Sequence, residues 1–435
     1  MSGVVRPSAS KAWKCEPMSD TRVSFEVVVV GAGPAGLAAA CAAAESGCRT
    51  ALVDDTPWLG GQIWRGQQAH PTIPLAAHWV ERFKQTKAVL LDQCTILGPG
   101  SSRILLAEDP GGPRQIQWER LILATGAREL FLPFPGWTLP GNFGPGGLQS
   151  LAKHGWPVAG KRIVLAGSGP LLLAVGGGLR KMGACILSIN EQAPLSRLIS
   201  FGAGLFRWPS KWGQAARLKW TLRGTPFRCG VWPIGAQGTE QLRAVTLTDG
   251  RRQWTEECDL LACGFGLVPN VELPLALGCQ LDNGFVRVDA WQASSVAGVY
   301  CAGELTGIGG ADAALVEGSI AGLAASGHEN AIRQLMASRA SWRRFSAGLA
   351  KAFALREEVA RLASAETMIC RCEDVRFDRM KSFACWREAK LQTRCGMGTC
   401  QGRVCGAAAR VLFGWGMESV RPPVLPGRVE SLTQD

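Results

Sequence analysis

Residues 25–30 are apolar at five of six positions, and the run ends at Gly31, Gly33 and Pro34 before an alanine-rich stretch reaching Ser46. A short apolar run bounded by glycine predicts a buried strand, and the alanine-rich stretch predicts a helix. A second strand over 49–54 completes a βαβ opening. Residues 161–166 begin a second such unit, with its own glycine turn, a helix and a strand at 185–189. These two openings are the only internal repeat. A late strand is predicted at 298–302, followed by a glycine-rich turn into a helix at about 312–325. A charged amphipathic stretch at 331–362 reads as a helical linker. A cysteine-dense module follows at 368–413, and the extended tail 421–427 holds three prolines.

The pattern is that of an α/β chain in which one Rossmann-type domain is interrupted by another. The expected layout is a flexible leader (1–22), a first part of the FAD-binding domain (23–158), a second nucleotide-binding-like domain (159–262) and the returning part of the FAD-binding domain (263–330). A helical linker (331–365), a small helical cysteine module (366–413) and a tail (414–435) complete it.

Composition narrows the class. The 435 residues are 47% apolar and 19% charged, ordinary for a globular enzyme and too apolar for disorder. The longest apolar run, around 27–44, is interrupted by Gly31, Gly33, Pro34 and Gly36, so it is no membrane span. The first 22 residues carry Arg6, Lys11, Lys14 and Arg22 without an apolar core, which is no secretory signal. Sixteen cysteines lack the spacing of a secreted disulfide framework, so a cytoplasmic, reducing location is expected, with room for peripheral attachment at the inner membrane. The formal charge of +12 suits anionic cofactors or an acidic partner. No aromatic-basic RNA motif or DNA-reading helix is evident, and nucleic acid is not an expected partner.

Gly31-Ala32-Gly33-Pro34-Ala35-Gly36 carries the strongest chemistry. Gly31 permits the tight turn, Gly33 lets the backbone approach a pyrophosphate, and Gly36 lets the helix pack on the strand. The helix N-terminus, at Pro34 and Ala35, presents amides and a positive dipole end to the phosphates. Asp54, eighteen positions after Gly36, is placed to accept from the adenosine ribose, with Asp55 as its substitute. Gly61, Gln62 and Arg65 follow as candidate lining for the flavin or its pyrophosphate. Thr125 and Gly126 end a buried strand at 121–126. Gly303 and Glu304 end the return strand, where they can hold the ribityl and phosphate region. The helix after Gly309 and Gly310 is expected to aim its N-terminus at the flavin pyrimidine.

The second loop keeps Gly167 and Gly169 but has Leu172 at the third position, and Glu191 would repel the 2′-phosphate of NADP. A second nucleotide, NAD or ATP, remains an open expectation beside a retained fold without one.

In the C-terminal module, Cys370 and Cys372 precede Cys395 and Cys400 across a helical stretch. Two close thiol pairs suit a tetrahedral sulfur site, hence zinc or an iron–sulfur cluster. Gly396 and Gly398 between the thiols favour amides aimed at sulfur, and the spacing is not the usual zinc-knuckle one. Cys405 is the leading spare ligand. Cys41, Cys48, Cys94, Cys185, Cys263 and Cys301 read as structural. No side chain stands out as a general acid or base.

From about residue 25 onward the chain resembles the FAD-binding alpha subunits of heteromeric amine and amino-acid dehydrogenases of the opine oxidase, hydroxyproline dehydrogenase and hydrogen cyanide synthase type. The stretches GAGPAG, LGGQIWRGQ, ATGARELFLPFPGWTLPG, GSGPLLL, ACGFGLVPN, CAGELTGIGGADAALVEG, CRCED, TRCGMGTCQG and VRPP carry the likeness in order. It implies FAD, a ferredoxin-like [2Fe–2S] module of the bacterioferritin-associated type, and a separate amine-oxidising flavin beta subunit, with room for a small additional subunit. Electrons would leave to a respiratory acceptor. Leu172 is shared with that family and argues against a working pyridine-nucleotide reductase. The segment between Cys372 and Cys395 is shorter than the family's, which keeps Cys405 open as a ligand.

Residues 192–238 contain no acid, while Arg197, Arg207, Lys211, Arg217, Lys219, Arg223 and Arg228 alternate with Trp208, Trp212, Trp220 and Trp232. One reading is a solvated helical insertion with its tryptophans turned inward. The other is a docking face for an acidic protein partner or a membrane surface.

Overall fold

The computed structural model describes residues 21–65, 73–416 and 420–433. The expected leader therefore lies outside the described residues except at its end, where Arg22 already begins a strand.

The first unit opens with β1 (Arg22–Val30), α1 (Pro34–Glu45) and β2 (Thr50–Val53), then α2 (Pro74–Lys84) and β3 (Val89–Leu91). β4 (Thr95–Pro99), β5 (Ile104–Asp109) and the long β6 (Gly112–Leu123) form an antiparallel meander. The sheet runs β3-β2-β1-β6-β5-β4, and the return strand Val299–Cys301 pairs in parallel with the last residues of β6. β1, β2 and the end of β6 are nearly continuous apolar runs because helices or other chain cover both faces.

α1 is alanine at seven of its twelve positions and is buried from Ala35 to Ala43, the mark of an apolar helix covered on every side. Its partner is α8 (Gly310–Ala325), and small residues bring the backbones together. A Cβ on Gly318 would lie 2.1 Å from the Ala35 carbonyl oxygen, and one on Gly322 would lie 2.3 Å from that of Ala39. This contact carries the return segment against the glycine loop.

The second unit has a five-stranded parallel sheet, in the order Phe227–Cys229, Cys185–Glu191, Arg162–Gly167, Leu260–Gly264 and Asn142–Phe143. α3 (Pro145–Lys153) and α4 (Leu171–Lys181) cover one face, and an antiparallel sheet of Trp232–Gly238, Leu242–Thr248 and Gln253–Glu257 covers the other. The chain enters at Ala127–Glu129 and leaves at Leu267–Pro269, and these two crossings pair with each other. The boundary expected near 158 thus lies earlier, because Asn142–Phe143 and α3 already belong to the second sheet.

α5 (Leu195–Gly204) and α6 (Pro209–Thr221) follow the second sheet's strand Cys185–Glu191, and the short α7 (Glu272–Ala276) lies near the return. The expected linker is α9 (Glu329–Ala352), which packs on α8 and α5. It ends in Phe353 because the chain then turns across the second unit. The cysteine module has a core of its own, with Ile369, Val375, Met380 and Ala389 around Cys370, Cys395 and Cys405. Its helices are α10 (Phe377–Met380), α11 (Trp386–Thr393) and α12 (Cys405–Phe413).

Candidate flavin and cysteine sites

The three glycines of the first loop have different jobs. Gly31 has φ +105°, and a Cβ there would lie 2.3 Å from the Ala124 carbonyl oxygen. At Gly36 a Cβ would lie 1.7 Å from the Gly31 oxygen. Both are fixed by strand and helix packing. Gly33 differs: its backbone is extended, and a Cβ would meet nothing within 4 Å. It borders open space at the N-terminus of α1, where Pro34 occupies the first turn and no side chain caps the helix.

Asp54 holds the loop. Its Oδ2 accepts from the Ala32 amide at 2.6 Å, and its Oδ1 accepts from the Thr56 amide and hydroxyl. Burial, aided by the Asp54 charge, raises the pKa of Asp55. Gly60 donates to the Ala32 carbonyl, and a Cβ on Gly61 would come within 2.9 Å of Gly33 Cα, so this turn lies directly against the glycine loop. Gln62 is exposed, and Arg65 donates 3.0 Å to Ser150 on α3, tying the flavin unit to the second unit.

On the other side, Gly303 donates to Glu317 and Gly310 donates to Glu304 Oε1 at 2.9 Å. The first amide of α8 is therefore taken by Glu304. The other carboxylate oxygen of Glu304 is buried without a hydrogen-bond partner, and burial pushes its pKa up to about 7. Glu304 lines a cavity of about 150 Å³ together with Gly303, Thr306, Gly309 and Arg343. An open glycine approach, an uncapped helix N-terminus and an orphaned buried carboxylate oxygen fit a bound dinucleotide carrying phosphate and polyol. Glu317, which also accepts from Thr306 at 2.7 Å and faces Arg343 at 3.6 Å, was not singled out in the sequence. Its position deep in a helix whose other charged residue, Asp312, lies in the first turn was the available signal.

The second loop is closed by the chain itself. Gly169 donates to Glu191 at 2.7 Å, Ser168 to the Gly264 carbonyl and Leu172 to Gly169, so these three amides have internal acceptors. Burial raises Glu191 to about 7. Segment 353–356 runs across the loop: Ser168 donates to the Phe353 carbonyl at 3.1 Å, Gln192 to that of Ala354 at 3.3 Å, and the Arg356 amide donates to Gln192 at 3.1 Å. Leu172, in the first turn of α4, is buried in the core between that helix and the sheet.

In the module, Cys370, Cys395 and Cys405 are buried with their sulfurs within 4.8 Å of one another. Cys372 and Cys400 form a second pair at 3.8 Å on the outer side. The expected four are thus split, and Cys405 enters because α12 begins there and points its first side chain inward. Hydrogen bonds from Cys395 and Cys405, with those from the Gly396 and Glu373 amides, pull the pKa of Cys370 well below the usual thiol range. Five thiols and two sulfur-directed amides fit an anionic sulfur-ligated centre. Of the cysteines read as structural, Cys41, Cys94, Cys263 and Cys301 are buried, whereas Cys185 is exposed.

A hydrogen-bonded path joins the two sites. Thr125 and Asn270 exchange bonds at 2.9 and 2.8 Å, and Arg128 donates to Asn270 at 2.8 Å. Arg128 also pairs with Glu272 at 2.9 Å and donates to the Arg403 carbonyl at 3.0 Å, between Cys400 and Cys405. Trp137 adds a bond to the Met368 carbonyl at 2.7 Å. Gly126, at the strand end, accepts from the Asn270 amide.

Residues 25–321 match the family model described as pyridine nucleotide-disulphide oxidoreductase. The chain belongs to this family. It is 30% identical over 426 residues to the HcnB component of hydrogen cyanide synthase from Pseudomonas protegens, covering 88% of this chain and 90% of the relative. It is 32% identical over 461 residues to an opine oxidase subunit of Rhizobium meliloti, covering 94% and 99%. The fold is that of L-proline dehydrogenase from P. horikoshii, with TM-score 0.67 at 19% identity over 95% of this chain and 80% of that one. The protein is an FAD-dependent oxidoreductase. No helix among the described residues is long and apolar enough to cross a membrane.

Proposed function

We propose that this chain is the FAD- and [2Fe–2S]-containing electron-transfer subunit of a multi-subunit amine or amino-acid dehydrogenase acting on CH–NH groups. A separate flavin-carrying beta subunit would oxidise the amine, and this chain would accept the electrons and deliver them to a respiratory acceptor. Hydrogen cyanide synthase and opine oxidase, the relatives' complexes, are named for nitrogen-containing chemistry, and each relative is named as a subunit.

The observation that supports the reading is the Thr125–Asn270–Arg128–Arg403 path, which ties the segment between Cys400 and Cys405 to the chain following β6, beside the proposed flavin site. FAD bound at Gly33, Asp54 and Glu304 would supply exchange between two-electron and one-electron chemistry, and a cluster in the cysteine loop would supply one-electron chemistry. The chain's own contribution is to hold both groups in one rigid frame. A stand-alone NAD(P)H reductase is disfavoured by Glu191 on the Gly169 amide and by the strap at 353–356. A scaffold role with a regulatory nucleotide meets the same obstruction.

The test is co-purification with the products of neighbouring genes, followed by anaerobic addition of amines and amino acids with an artificial acceptor. Reduction of the complex by an amine, with no spectral change on adding NADH, is the expected result. Full reduction of the isolated chain by NADH would overturn the reading.

A further inference from the structure

The proposed function leaves the acid-free segment 192–238 unused. There α5, the turn Leu205–Arg207 and α6 bury no residue at all. Leu195, Ile199, Phe206, Trp212 and Trp220 are 58, 62, 72, 50 and 69% exposed, too much apolar surface in one segment to be ordinary scatter. Trp212, Ala216 and Trp220 recur every four residues and so share one stripe of α6. The guanidinium of Arg223 lies 4.8 Å over the Trp220 ring.

Next to Phe206, at Arg207 and Trp208, α5 and α9 enclose a groove of about 400 Å³. Arg197, Arg207, Arg344 and Lys351 line it, with Phe201, Trp208 and Phe345 among its other walls and no acidic residue. None of these four cations has an ion pair among the described residues, and the Arg197 guanidinium donates to the Ala354 carbonyl. Other cations of the segment are already used: Lys211 pairs with Asp312 at 2.5 Å, and Arg228 pairs with Glu256 at 2.5 Å. The tryptophans divide in the same way, since Trp208 donates inward to Ser341 and Trp232 is buried.

We propose that this face docks on an anionic lipid surface, with α5 and α6 lying in the interface plane and the groove receiving a lipid phosphate. Unneutralised cations around a cavity without carboxylates select an anion. The exposed aliphatic and aromatic side chains beside them match the boundary between headgroup and acyl chain, where tryptophan and arginine both settle. A soluble phosphate would answer the cations and leave Leu195, Ile199 and Phe206 in water. An acidic protein would answer them only if it also brought an apolar face.

The experiment is co-sedimentation of the FAD-loaded full chain with phosphatidylcholine vesicles, with and without phosphatidylglycerol, across a salt series. Binding only to the anionic vesicles, weakening with salt, is expected. Arg207→Glu with Arg344→Glu should weaken it by roughly tenfold or more, and Ile199→Ser with Phe206→Ser should weaken it comparably. Unchanged flavin absorbance would show that both variants are folded. Failure of the wild type to bind anionic vesicles overturns the proposal. So does full retention of binding in the Ile199 and Phe206 variant, or displacement from vesicles by inorganic tripolyphosphate in that variant alone. Loss of a co-purifying protein from either variant, with no lipid binding by wild type, would assign the face to a protein partner instead.

Discussion

Gly33→Val separates binding of FAD from folding. The residue sits in extended backbone at φ −70°, which valine adopts readily, and its Cβ would touch nothing within 4 Å. The expected cost to the apoprotein is therefore within about 0.5 kcal/mol. The isopropyl group would, however, stand in the approach to the first amides of α1. Losing two charge-assisted hydrogen bonds to a pyrophosphate, at about 1.5–3 kcal/mol each, amounts to about 3–6 kcal/mol. FAD affinity should fall by roughly a hundredfold to ten-thousandfold. The assay is the ratio of flavin absorbance to protein after purification, flavin titration of the apoprotein, and its melting temperature. Gly36→Ala is the contrast: its Cβ would lie 1.7 Å from a backbone oxygen, so it should lower the melting temperature of the apoprotein itself. A yellow Gly33→Val protein with stoichiometric FAD would refute the placement of the pyrophosphate. So would a loss of apoprotein stability as large as that of Gly36→Ala.

Other outcomes follow from the same geometry. Cys405→Ser should lose metal while keeping FAD, read by iron content and flavin absorbance; retained iron would remove Cys405 from the ligands. Arg128→Ala takes away the donor to the Arg403 carbonyl and to Asn270, and should increase proteolysis or hydrogen exchange in 366–413 while leaving FAD bound. Glu191 has a pKa raised from 4.5 to about 7 by burial, so the folded state holds the proton more tightly than the unfolded chain. Its contribution makes stability fall as pH rises from 4.5 to about 7, by about 3 kcal/mol. Glu191→Gln should flatten that part of the melting-temperature profile, and an unchanged slope would place the titration elsewhere.

Local patterns made much of this molecule legible. The apolar run before Gly31, the alanine-rich helix and the repeat at 161–189 located both Rossmann units, because strand burial and glycine turns are written in adjacent residues. The early start of the second unit was not legible, since it depends on the two-residue strand Asn142–Phe143 pairing with Leu260–Gly264. The strap at 353–356 was equally hidden: it acts through backbone carbonyls, which carry no side-chain signature. The thiols were found by type, but their grouping depends on where α12 starts, which brings Cys405 beside Cys370 and Cys395 and leaves Cys372 with Cys400. Arg128 and Asn270 lie within the stretches ATGARELFLPFPGWTLPG and ACGFGLVPN, but nothing local marks them, because only the contact with Arg403 unites them.

The central claim, that one frame holds a flavin and an iron–sulfur cluster, is tested most directly by anaerobic purification of the full chain. FAD, iron, acid-labile sulfide and zinc should be quantified in one sample. The account predicts about two irons and two sulfides beside each FAD, with a paramagnetic signal on reduction. Stoichiometric zinc without iron would contradict it.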